Sequence, residues 1–82
     1  MQKIKPDLNL GSNLRRLRME RGITQEALSA KLGVMGIDLS RGTYSRYETG
    51  ELNVPVSVLV ALHTIYRCTY DEFFKGLELP TL

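Results

Sequence analysis

Four residues within six positions, Arg41, Gly42, Ser45 and Arg46, carry the side chains from which a recognition surface can be built. On a helix they share one face. Two guanidinium groups offer paired N–H donors that match the O6 and N7 acceptors on a guanine edge. A serine hydroxyl meets polar base atoms, and a glycine leaves room for a base pair or a thymine methyl. Tyr44, Tyr47 and Glu48 fall on the opposite side and form an inward stripe. A helix divided in this way can bury one stripe and offer the other to a major groove.

Catalytic chemistry has poorer material. There is no nucleophile–base pair, no paired carboxylates in a plausible cleft and no phosphate-binding glycine loop, so the expectation is that the chain is not an enzyme. His63 is the only histidine and Cys68 the only cysteine, and no CxxC or His/Cys cluster is present. No metal, no other cofactor and no internal disulfide are therefore expected. His63 reads as a packed or half-exposed helix residue, and Cys68 as a small apolar filler. Tyr70, Phe73 and Phe74 read as core or as a dimer surface.

The elements that must position Arg41 to Arg46 are all helical. Asn9 can cap a first helix to about Arg21, with Leu10, Leu14 and Leu17 on one face and Gly22 after it. Thr24 caps a second helix, Gln25 to Leu32, which Gly33 stops by supplying a positive φ. Ser40 caps a third, about Arg41 to Thr49, closed by Gly50. Pro55 suits the first turn of a fourth, to about Tyr66, whose Val, Leu and Ile residues run almost all round and mark it as the buried centre. Thr69 to Glu72 fits a capping box opening a short fifth helix through Phe74. The segment VMGIDLS alternates like a strand, but a lone strand has nothing to pair with, so it is read as an extended loop. The second and third helices cross closely, and Ser29 supplies the small side chain there.

Length and composition agree with one all-α domain spanning 1–82, with its core at 9–76 and flexible segments at 1–8 and 77–82. The 82 residues are 43% hydrophobic and 24% charged. No apolar run has the length of a signal peptide or a membrane span, so a cytoplasmic protein without membrane contact is expected. The net charge is only +2, but it is unevenly placed. Residues 1–49 hold nine Lys/Arg against five Asp/Glu, and residues 50–82 hold two against four. A polyanion would sit on the first part. Arg15 and Arg16 read as solvent-facing, or at most near a phosphate.

Three glycine-punctuated helices with basic residues on the third suggest a helix-turn-helix. RRLRMERGITQEALSAKLGV followed by SRGTYSRYETG resembles the Cro/CI-repressor-type helix-turn-helix family, also called the xenobiotic-response-element family. The resemblance covers about residues 10 to 74, and its combined motifs are specific where any one alone would be weak. It implies a compact five-helix repressor-like fold with the second and third helices as the reading unit. Members are usually transcription regulators, often of phages and mobile elements, or antitoxins. On this family's pattern Arg41, Gly42, Ser45 and Arg46 are base-facing. Gln25 and Thr43 match phosphate-contacting positions, Gln25 also bracing the third helix, and Asn53 in the following loop matches another. Arg18 and Glu48 match a salt bridge that ties the first helix to the third.

The chain departs from that pattern twice. MGIDL, residues 35–39, is extra and gives an extended turn at 33–40, in which Met35, Ile37 and Leu39 fold onto the domain and Asp38 points out. Glu51 stands where members often carry Lys or Arg, so one phosphate contact is expected to be missing. The resemblance implies a sequence-specific double-stranded DNA-binding transcription regulator of the repressor kind. It would bind an operator with inverted-repeat symmetry as a homodimer, with the two third helices in successive major grooves ~34 Å apart. The alternative is a protein-interaction module or antitoxin-like partner binder, in which the long turn compromises DNA reading.

Overall fold

The computed structural model describes residues 8–79 and contains five helices and no strand among them. They are α1 (Gly11–Glu20), α2 (Gln25–Val34), α3 (Arg41–Thr49), α4 (Val56–Tyr66) and α5 (Asp71–Phe74). The flexible segments expected at 1–8 and 77–82 lie largely outside the described residues. Leu14 and Leu17 of α1, Leu28 and Leu32 of α2, Tyr44 and Tyr47 of α3, Val58, Ala61, Leu62 and Tyr66 of α4, and Phe73 of α5 form one buried cluster.

Local chemistry sets most helix starts. Asn9 is not the cap of α1 as expected: the N-cap position is Leu10, and Asn9, one residue earlier, accepts through Oδ1 from the N–H of Gly11, the first helical residue, at 3.0 Å. Thr24 Oγ1 accepts from Ala27 N at 3.0 Å and Ser40 Oγ from Thr43 N at 3.1 Å, so both act as N-caps. Pro55 immediately precedes α4, its φ of −63° already suited to the turn. α3 ends at Gly50, whose φ is 84°.

Several further expectations are corrected. First, Gly33 does not stop the second helix. It lies inside α2, which runs through Val34, and the positive φ belongs to Gly36, at 86°. Gly36 N donates to Gly33 O at 3.0 Å and Ile37 N to Leu32 O at 2.9 Å, the paired bonds of a Schellman ending. Ile37 and Leu39 then pack against the core, while Met35 and Asp38 stay exposed. The extra residues thus finish one helix and anchor the next, and Tyr44 and Tyr47 stay buried behind them. Second, α4 is not buried all round. Val58, Ala61, Leu62 and Tyr66 face inward at spacings of three, one and four, but Val56 is 75% exposed and Val60 is also exposed. Third, Thr69 and Glu72 form no capping box. Only the Thr69 backbone carbonyl takes the Glu72 N–H, and the Glu72 carboxylate is drawn to Arg16 at 3.3 Å.

Arg16 is correspondingly not a solvent-facing charge. It bonds Glu72 through both carboxylate and carbonyl and straps α1 to α5. Asn13, buried beside it, donates to Phe73 O and Lys75 O, both at 2.9 Å. On another edge α1 approaches α3 backbone to backbone. A Cβ on Gly11 would strike the Glu48 carbonyl, with that carbonyl carbon at 2.7 Å and Tyr47 O at 2.9 Å. These are backbone atoms that cannot swing aside. Gly11→Ala should therefore destabilise by about 1–3 kcal/mol through overpacking. A denaturant titration reads this, and a midpoint equal to the wild type would contradict the close crossing.

Candidate nucleic-acid interface

The third helix divides as its sequence implies. Tyr44 and Tyr47 are buried with their rings edge to face at 6.2 Å, while Arg41, Gly42 and Arg46 are exposed and Ser45 is half-buried. The buried stripe holds the helix, and the other stripe stands free. Arg41 makes no ion pair among the described residues. Arg46 has only Glu51, at 4.0 Å with both side chains more than 60% exposed, a pairing worth little. Both guanidinium groups are therefore available to a ligand.

Behind α3 lies a polar brace. Arg18 Nε meets Glu48 Oε2 at 2.6 Å and Nη2 meets Oε1 at 3.0 Å, a two-pronged pair with side-chain exposures of 9% and 5%. The remaining prong, Nη1, donates to Ile23 O at 2.9 Å, and Gln25 Nε2 adds a bond to Glu48 Oε1 at 3.2 Å. Three helices are thus joined at one carboxylate. Burial alone would push the Glu48 carboxyl up, but the hydrogen bonds from Arg18 and Gln25 and the nearby Tyr44 hydroxyl outweigh it and hold the carboxyl below its usual range. The bond to Glu48 raises the Arg18 value in turn, against its desolvation. The Tyr44 and Tyr66 hydroxyls are buried nearby without ordinary hydrogen-bond geometry. Burial raises both, Tyr66 to about 12, so both remain neutral phenols.

In front of the brace run two adjoining open grooves. One, of ≈ 380 Å³, is lined by Arg18, Thr24, Gln25, Glu26 and Arg41. The other, of ≈ 400 Å³, is lined by Arg15, Arg18, Gln25, Ser45, Glu48 and Thr49. Gln25 borders both, at the first turn of α2, where backbone N–H groups and the helix dipole favour an anion. Thr43 is half-buried near the start of α3, and its hydroxyl oxygen accepts from Ser40 Oγ at 3.1 Å. Asn53 is exposed at the far end of α3, beside Asn9, Leu10 and Tyr47. Of the expected base-facing residues, Arg41 and Ser45 line these grooves with Gln25; Gly42, Arg46 and Thr43 line neither, and Asn53 stands apart beyond the helix end. Arg15 and Thr49 line the second groove as well, and neither is among the residues expected to contact a base or phosphate by family pattern. The available signal for Arg15 was its position three before Arg18 on the same helix edge.

Elsewhere the chemistry is sparse. His63 stacks on Tyr70 at 4.0 Å and 12°, and Cys68 is half-buried against the core with burial pushing its thiol up. Among the described residues no group of three His, Cys, Asp or Glu is placed to hold a metal ion, and no helix is long and apolar enough to cross a membrane.

Comparison with protein families finds a helix-turn-helix domain model matching residues 9–73, which takes in all five helices but the last residue of α5. Comparison with curated proteins finds no match. A match over this much of the chain, on a structure of five helices, places the chain in the Cro/CI-type helix-turn-helix family, and DNA is the partner that membership implies.

Proposed function

We propose that the protein is a sequence-specific double-stranded DNA-binding transcription regulator that acts by occupying an operator, as a repressor, with α3 in the major groove. The observation that carries this reading is the outward stripe Arg41, Gly42, Ser45 and Arg46, with Arg41 unpaired and Arg46 held only loosely by Glu51, on a helix braced from behind by Arg18, Glu48 and Gln25. Bases are read by Arg41, Ser45 and Arg46 with Gly42 giving clearance, and phosphates are held by Gln25, Thr43 and Asn53. Two chains bind an inverted repeat, each placing its α3 in one of two successive grooves. Exposed apolar residues on α4, just before α5 and on α5, namely Val56, Val60, Tyr70 and Phe74, support self-association.

The same exposed side chains, together with Val34 at 90% exposure and Met35 at the end of α2, favour a second reading as a module that grips another protein. Duplex binding measured at two salt concentrations, with the mass of the complex, separates the two. The regulator reading expects two chains per duplex and affinity that falls steeply with salt through counterion release. Weak binding that is indifferent to salt would overturn it and leave the partner-binding module.

A further inference from the structure

The first helix carries two adjacent arginines with opposite fates. Arg16 is turned toward α5 and held by Glu72 and Glu20. Arg15, 100° round the helix, has no hydrogen bond or ion pair among the described residues and is exposed. Its edge of α1 is the one that faces α3. Gly11, one turn earlier, touches the backbone of Tyr47 and Glu48, and Arg18, one turn later, is locked to the Glu48 side chain. Arg15 therefore borders the same groove as Ser45 and Thr49, on the C-terminal half of α3.

Around this groove the neighbouring charges are already spent. Arg18 is neutralised by Glu48, and Glu51 takes the Thr49 hydroxyl at 3.1 Å as well as pairing loosely with Arg46. Among the described residues Arg15 is the one unpaired cation lining the groove. A duplex whose major groove admits α3 brings the phosphates of the bordering strand against the wall beside that helix. An exposed, unpaired guanidinium in that wall has the charge and the reach to meet one.

We propose that Arg15 is a DNA backbone contact, its guanidinium taking a phosphate that flanks the groove entered by α3, so that the interface extends onto the first helix. This contact supplies positive charge on the side of α3 where Glu51 supplies none. The proposal rests on the DNA-binding reading above.

The test compares wild type, Arg15→Ala, Arg15→Lys and Lys75→Ala on a duplex selected by the wild type from a randomised pool and on a scrambled duplex, each across a salt series. Lys75 follows α5, on the Asn13 side of α1 and away from the groove, so it controls for net charge. Arg15→Ala is expected to lower affinity for both duplexes by a similar factor. Losing one phosphate contact flattens the salt slope by about 0.9, so the gap from wild type shrinks about 3.5-fold between 50 and 200 mM salt. Arg15→Lys should restore most of the slope, Lys75→Ala should leave it near wild type, and the melting temperature of Arg15→Ala should not move. An unchanged slope in Arg15→Ala, or a slope change equal to that of Lys75→Ala, would overturn the contact while leaving the DNA-binding reading intact. A loss confined to the enriched duplex would replace it with a base contact. Failure of the wild type to bind duplex would overturn both.

Discussion

Arg18→Ala is expected to lose about 3–5 kcal/mol of folding stability, because it strands the Glu48 carboxylate in a site that is 5% exposed. A domain of this size has a total stability of only about 4–12 kcal/mol, so the loss takes a large share of it and should lower the melting temperature by about 12–40 °C. Two features make the cost high. The carboxylate keeps only Gln25 as an ordinary hydrogen-bond donor, and the Ile23 carbonyl loses the third prong of the guanidinium. If stranding rather than attraction dominates, the double replacement Arg18→Met with Glu48→Leu should recover much of the loss, since neither charge is then left buried. The same brace has a pH signature. The Glu48 carboxyl sits below its ordinary value of 4.5 in the folded chain. Its contribution is therefore complete above that value and is lost as pH falls through the lowered folded value. The melting temperature should hold down to about pH 5 as far as this group is concerned, then drop in more acid solution. Glu48→Gln should flatten that acid limb while melting lower at neutral pH. An Arg18→Ala variant that melts like the wild type would remove the brace from the account.

The second large effect is on binding. Arg41→Ala with Arg46→Ala should cost about 2–6 kcal/mol of affinity for the operator, taking about 1–3 kcal/mol for each two-pronged contact to a base and treating the two as independent. That is a loss from about thirtyfold to beyond ten-thousandfold. Folding should be unaffected, because both side chains are exposed and only Arg46 has a partner, a distant one. The diagnostic is where the loss falls. Base contacts predict that each single variant relaxes the preference at one position of each half-site. A uniform loss on all sequences would move these arginines from base edges to phosphates, and unchanged binding would remove α3 from the interface.

The parts of this structure that were legible in the sequence are those decided within a few residues. Thr24, Ser40 and Gly50 act where their types and spacing place them, since a cap bond reaches only two or three residues along the chain. The division of α3 into buried tyrosines and outward arginines follows from helical period alone. Gly33 and Gly36 show where local rules run out. Either can end a helix, and a glycine inside one costs only about 1 kcal/mol relative to alanine. The later ending prevails because it lets Ile37 and Leu39 reach the core. Thr69 and Glu72 fit a capping box by spacing, yet Glu72 goes to Arg16, 56 residues away. Asn13 serves carbonyls at Phe73 and Lys75, and Gly11 is required by a backbone 36 or 37 residues on, so neither had a local signal. Arg15 and Arg16 could not be separated without knowing which side of α1 receives α5. The Arg18–Glu48 pair was legible only through family resemblance, because nothing in its spacing tells which charges on two helices will meet.

Enrichment from a randomised duplex pool tests the central claim most directly. The account predicts that the wild-type chain selects an inverted repeat whose half-sites lie about one helical turn apart, centre to centre, and that Arg46→Ala selects the same repeat with one position in each half relaxed. A pool that emerges unenriched after repeated selection at low salt would contradict it, and α3, with its exposed arginines, would then have to serve a protein partner.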